Sequence, residues 1–211
     1  MTGRTPLNSE RVVAGAVTLA DREGLEAVSM RRLASDLDVV PMALYKHVRN
    51  KEQLYDAMVA SIIAEYGVAA GDGSPKEWRE EVTRRTIAAR SAVIRHPWAR
   101  RAIESRTTRS PAVLGHMEAL TSALLRGGFT PDLAHHVMHT LGNRIWGFSP
   151  ELFPGESAPL DPTQHAGILR VAADAIERRG GGTCDEDFEF SFALDLILDG
   201  AERLRASRWC S

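Results

Sequence analysis

The sequence predicts an all-α protein, built as a small N-terminal unit of three helices joined to a larger helical unit. Three observations lead there. Apolar residues recur at helical spacing along nearly the whole chain, strict period-two alternation is missing, and capping side chains and glycines punctuate the periodic stretches. Nine or ten helices and no strand are expected.

The first helix starts at Asn8-Ser9, carries Val12, Ala16 and Leu19 on one face, and ends at Gly24. Ser29 caps a two-turn helix with Leu33, Ala34 and Leu37 inward; Asp38 fills a tight turn, Val39 packs back, and Pro41 opens a second short helix. Asn50 caps a longer one with Leu54, Met58 and Ile62 on its face, stopping near Gly67. A Gly/Asp-rich loop over 67–74 follows. Further starts are expected at Ser74-Pro75, Ser110-Pro111, Thr130-Pro131 and Asp161-Pro162, with stops at Gly127-Gly128 and Gly180-Gly181-Gly182. The stretch 149–162 holds Pro150, Pro154, Pro159, Pro162 and Gly155, which no helix interior tolerates, so a mobile loop is expected there. The last helix shows two stripes: Phe190/Leu194/Ile197/Ala201/Leu204, and Phe188/Phe192/Leu196. The resulting division is residues 1–50, a connecting helix over 51–66, and a unit over 67–211.

Composition excludes several classes of protein. The 211 residues are 44% hydrophobic and 26% charged with net charge −2, which suits a globular chain and not a polyelectrolyte. No apolar run approaches membrane-spanning length and the start lacks a signal-peptide core, so a cytoplasmic protein is expected. Cys184 and Cys210 are too few and too widely spaced for a disulfide scaffold or a cysteine zinc site. Charge is uneven. Residues 1–51 carry eight Lys/Arg against six Asp/Glu, whereas 84–109 hold eight arginines and one acid, and 185–202 seven acids and no base. The last two are solvated helix faces or facing patches.

Two short helices about a three- to four-residue turn describe a helix-turn-helix. On the second helix Leu44 and Val48 face the core, which aims Met42 and Lys46 outward and places Ala43, Tyr45 and His47 on the flanks. That face suits a DNA major groove. Lysine donates to guanine O6 and N7, and Ala or Met meets a thymine methyl. Ser29, Tyr45, His47 and the amides near Asn50-Lys51 are placed to hold phosphates. A structural two-helix corner is the alternative. Residues 7–58 resemble the DNA-binding domain of the TetR (tetracycline repressor-like) family, on Ala20-x-x-x-Gly24, Ser29-Met30-Arg31-Arg32-Leu33-Ala34, Leu44-Tyr45-x-His47-Val48 and Asn50-Lys51-x-x-Leu54. The resemblance implies that Ser29, Arg31, Tyr45, His47 and Lys51 touch the DNA backbone or an adjacent base, while Pro41, Met42, Ala43 and Lys46 face base edges. Asp38 stands where the family usually has glycine, and Val40 where a Ser or Thr cap is frequent.

Further along, Trp78, Gly128-Phe129-Thr130 and Phe188 through Gly200 resemble the family's C-terminal ligand and dimerisation domain. The resemblance implies a homodimer formed by the last helix and the one over about 131–149, reading a double-stranded, pseudopalindromic operator, most readily as a repressor released by a small-molecule effector. Helical phase together with the resemblance places Trp98, Met117, His139, Asn143, Trp146 and Phe148 around the effector. Gly67, Arg85, Ile103 and Arg106 occupy the positions that match tetracycline's polar and metal-linked contacts, so an amphipathic or aromatic molecule other than tetracycline is expected.

Two other readings stay open. His135 and His139 at i,i+4 could chelate a metal in a small all-α enzyme, although the glutamate of an HExxH motif is absent and His136 stands there instead. The arginine-rich 84–109 stretch could dock an acidic protein. No GxSxG motif or glycine-rich phosphate loop occurs, and no cofactor is expected.

Overall fold

The computed structural model describes residues 6–65, 77–105, 110–146, 161–179 and 185–211, and all regular structure among them is helical. The capping residues determine most of the starts. Helix α1 (Ser9–Glu23) begins where Asn8 Oδ1 accepts the Arg11 N–H at 2.8 Å, and ends at Gly24, whose φ of 85° only glycine adopts freely. A 3₁₀ turn over Leu25–Ala27 leads to α2 (Met30–Asp36), capped by Ser29 Oγ on the Arg32 N–H at 3.2 Å. Helix α3 is only Pro41–Leu44, shorter than expected. The chain continues its curl through His47 and Val48, whose N–H groups donate to Leu44 O at 2.9 and 3.0 Å. Asn50 caps α4 (Lys51–Ala64).

The larger unit comprises α5 (Trp78–Arg95), α6 (Trp98–Glu104), α7 (Pro111–Arg126), α8 (Pro131–Trp146), α9 (Ala166–Arg179) and α10 (Glu186–Ala206). Ser110 and Thr130 cap α7 and α8 as the sequence indicates. Asp161 does something else. Its carboxylate accepts the Thr163 N–H at 2.8 Å and hydroxyl at 2.7 Å, building a turn, and α9 starts only at Ala166. Ser74-Pro75, Gly67, Gly180–Gly182, Cys184 and the loops over 67–74 and 149–160 lie outside the described residues.

Two apolar cores organise the helices. The first gathers Val12, Leu19, Leu33, Leu44, Leu54, Met58 and Ile62, and also takes in Ala92, Trp98, Ala99 and Ala102 from α5 and α6. The connecting helix α4 and the short α6 are therefore packed into the N-terminal unit. The second core joins α5, α7, α8 and α10 through Trp78, Val82, Leu120, Leu124, Leu133, Leu141, Phe190, Leu194 and Leu198, with Trp78 edge-on to Phe129 at 4.7 Å. The inward stripe of α10 is corrected here: Leu198 completes it, whereas Ile197 is half-buried and Leu204 exposed, because the i,i+4 row from Phe190 drifts past 197.

Candidate nucleic-acid interface and effector unit

The reader is built on one strained residue and two anchors. Asp38 takes φ 53°, the left-handed conformation that short polar residues tolerate best after glycine, so the turn survives without glycine. Val39 N–H donates to Ala34 O at 2.9 Å and fixes the angle between α2 and α3. Leu44 and Val48 are buried beneath, while Met42 is 72% and Tyr45 45% exposed, with Pro41 and Lys46 also exposed and Ala43 and His47 half-buried. Val40 caps α3 without a side-chain hydrogen bond, and Pro41 at the first position has no N–H to satisfy.

Charges sort themselves around this pair of helices. Arg22, Glu23, Arg32 and Asp36 form one network tying α1 to α2, with contacts of 2.7 to 3.3 Å. Arg31 lies on the exposed side of α2, outside that network. At the start of α4, Lys51 Nζ sits 5.2 Å from the Tyr55 ring centre, and the Tyr55 hydroxyl donates to Leu25 O at 3.1 Å. Ser29, Arg31, Tyr45 and Lys51 are exposed, and His47 is half-buried.

A polar junction fastens the larger unit to the reader. Asp21 Oδ1 on α1 accepts the Trp98 indole N–H at 2.6 Å and lies 2.7 Å from His96 Nδ1, while Glu65 meets Arg95 at 2.8 Å.

Of the six effector residues expected from sequence, Trp98, Met117, His139 and Asn143 have side chains among the described residues. Trp98 packs in the first core and donates its indole N–H to Asp21. Met117 is half-buried on α7, and His139 and Asn143 are exposed on α8. The side chain of Trp146 and all of Phe148 lie outside the described residues. An open groove of about 850 Å³ runs beside α5, lined by Arg79, Thr83, Arg84, Ile87 and Asp195, and uses none of the six. Sequence reasoning missed a buried polar cluster between α5 and α7: Arg85 Nε donates to Glu81 Oε1 at 3.1 Å, and Arg126 reaches Glu81 Oε2 at 2.6 Å. Its sequence signal was the Glu81/Arg85 pair at i,i+4. His116 on α7, half-buried and repelled by Arg85, has its pKa lowered from 6.5 to about 4, burial being the larger cause.

His135 and His139 stack edge-on at 4.5 Å on the exposed side of α8, and His136 packs on Trp209 at 5.7 Å. Among the described residues no cluster of three or more His, Cys, Asp or Glu is arranged to hold a metal ion. Phe188, Phe192 and Leu196 leave an apolar strip on α10 that is 52%, 53% and 56% exposed, with the two phenylalanines stacked at 6.3 Å.

A helix-turn-helix with an outward, cation-bearing recognition face, mounted on a helical body, defines a DNA-binding regulator. Comparison with known proteins agrees. The model for bacterial regulatory proteins of the tetR family matches residues 12–58, and that for the tetracyclin repressor-like C-terminal domain matches 72–205. The HTH-type transcriptional repressor DrrR1 of Streptomyces coeruleorubidus is 31% identical over 230 residues, covering 98% of this chain and 84% of that one. Apo ActR from Streptomyces coelicolor superposes with a TM-score of 0.74 at 25% identity over 97% of this chain and 99% of that one. ActR in complex with actinorhodin gives 0.69 at 26% identity, over 94% and 98%. The chain belongs to the TetR family. It is accordingly a DNA-binding transcriptional regulator that acts as a homodimer under small-molecule control, and not an enzyme. Among the described residues no helix is long and apolar enough to cross a membrane.

Proposed function

We propose that the protein is a cytoplasmic repressor whose homodimer inserts two α3 segments into successive major grooves of a pseudopalindromic operator and leaves it when a small molecule occupies the helical unit. The observation that carries this is the outward face of α3, held by buried Leu44 and Val48. Residues 1–50 read DNA, 51–66 connect, and 67–211 bind effector and partner. Lys46, Met42, Ala43 and Pro41 meet base edges; Ser29, Arg31, Tyr45, His47 and Lys51 hold the backbone and set register. The α8 and α10 helices pair across the two-fold axis, so half-sites lie about 34–36 Å apart.

Release is a population shift. A ligand that lowers operator affinity a hundredfold must favour the non-binding arrangement by about 2.7 kcal/mol. Trp98, Met117, His139, Asn143, Trp146 and Phe148 are the candidates for the effector walls, and Trp98 also relays their state to α1 through Asp21. A gel-shift on the DNA flanking the gene tests the reading: binding that survives Arg31→Ala combined with Tyr45→Phe overturns it. If the dimer neutralises roughly 6–10 phosphates, affinity falls about 10³–10⁵-fold between 50 and 200 mM salt.

A further inference from the structure

The start of α3 is apolar where the starts of α2 and α4 are polar. Ser29 and Asn50 each accept a backbone N–H of the helix they cap, whereas Val40, in the same position ahead of α3, makes no side-chain hydrogen bond. Serine, threonine, asparagine and aspartate are favoured there because a side-chain oxygen takes one of the helix's free N–H groups. Helical phase does not account for the valine either. Counting back one turn from buried Leu44 would put residue 40 on the core side, yet its backbone is extended, at φ −77° and ψ 144°, and its side chain is 67% exposed. Val40, Pro41 and Met42 are therefore three consecutive exposed apolar residues, and Val40 shares the wall of an open groove between α2 and α3 with half-buried Ala43. The patch breaks two local rules, capping and burial, and such breaks concentrate at functional sites.

Its occupant follows from its position. The patch is continuous with the outward face of α3, and in a helix-turn-helix the N-terminal residues of the recognition helix meet base edges. None of the side chains from Val40 to Ala43 carries a nitrogen or an oxygen. The feature of the major groove that apolar side chains recognise is the 5-methyl group of thymine.

We propose that Val40 is a specificity-determining residue that packs on a thymine methyl, beyond the base contacts assigned above to residues 41–43 and 46. This rests on the regulator reading. It assigns one thymine in each half-site to Val40, and makes the methyl group of that base, not its hydrogen-bonding edge, the feature that is read.

The test removes that methyl and leaves base pairing intact. The operator is recovered with the full-length homodimer from a library of random duplexes. Each thymine is then replaced by deoxyuridine in both half-sites at once, and affinity is measured at one fixed salt concentration. Burying one methyl is worth about fourfold in affinity per half-site, hence about fifteenfold for both. Wild type is expected to lose that factor at the thymine Val40 reads, and Val40→Ser to bind the thymine and deoxyuridine forms of that position within about twofold of each other. Serine supplies the missing cap, so this variant keeps α3 folded. Val40→Ala repeats the comparison without a hydroxyl and is expected to give the same indifference. The assignment is overturned if no thymine shows the loss, or if the loss at every such thymine persists in Val40→Ser and Val40→Ala. Either result with a well-bound selected operator fails the assignment of Val40 alone; a selection that recovers no preferred sequence fails the regulator reading, and this assignment with it.

Discussion

Asp21 and Trp98, 77 residues apart in sequence, are joined by a 2.6 Å hydrogen bond from the indole to the carboxylate that also meets His96. The bond ties α6 to α1, and the apolar packing of Trp98, Ala99 and Ala102 on the first core runs alongside it. Removing the carboxylate leaves a buried indole N–H without a partner. Asp21→Ala is therefore expected to destabilise the protein by about 1–3 kcal/mol in urea unfolding. Trp98→Phe keeps an aromatic ring and loses the N–H; it should weaken effector-driven release more than operator binding itself. Equal effector response in wild type and Trp98→Phe would remove the junction from the signal path.

On the reading face, base and phosphate recognition separate by their salt dependence. Arg31→Ala is expected to weaken operator and random duplex alike and to lower the slope of log affinity against log salt by about one for each phosphate it ceases to neutralise. Met42→Ala leaves that slope alone and changes preference at one base pair. Filter binding across a salt series distinguishes them, and a Met42→Ala slope that moves with Arg31→Ala would merge the two roles.

The reader was legible almost residue by residue because its packing is local. Leu33, Ala34, Leu44 and Val48 lie within one turn-linked segment, and helical phase alone sorts inside from outside. Asp38 could be anticipated in a left-handed turn for the same reason. The larger unit resisted because its decisive interactions are distant. Nothing near Trp98 announces Asp21, and an apolar ring at helical spacing suits a ligand wall as well as a domain junction. The Glu81/Arg85 spacing was visible, yet whether such a pair faces water or the interior depends on α7, whose Arg126 lies 45 residues away.

Glycine at 127 is dictated by a neighbour and not by its backbone, which is ordinary α-helical at φ −68°. A Cβ there would stand 2.6 Å from Trp78 Cγ and 2.8 Å from Trp78 Cβ, the rigid root of a buried side chain. Gly127→Ala must push Trp78 off Phe129, and is expected to lose about 1–3 kcal/mol in thermal unfolding, the usual cost of overpacking. An unchanged melting temperature would mean that α5 and α7 pack more loosely than this spacing implies.

The strip Phe188, Phe192 and Leu196 is exposed in one protomer, so a charge placed there disturbs no intramolecular core. Phe192→Glu combined with Leu196→Glu is expected to give folded monomers in sedimentation, with unchanged far-ultraviolet circular dichroism and lost operator binding. A variant that stays dimeric would put the two-fold interface elsewhere on the helical unit.

Acid sensitivity follows from His116. Its pKa falls from the ordinary 6.5 to about 4, first because burial disfavours the imidazolium and second because Arg85 repels it. Above pH 6.5 the ring is neutral folded and unfolded, and contributes nothing to pH dependence. Between pH 6.5 and about 4 the unfolded chain binds a proton that the folded chain refuses, so stability falls as pH drops through that window. The 2.5-unit gap corresponds to a loss of about 3 kcal/mol by its lower end. His116→Asn cannot take up that proton. Its stability is expected to stay nearly level from pH 6.5 to 4.5 where wild type declines, and urea midpoints at half-unit steps would show the two curves converging only above pH 6.5. Parallel curves through the whole window would mean that His116 charges in the folded protein.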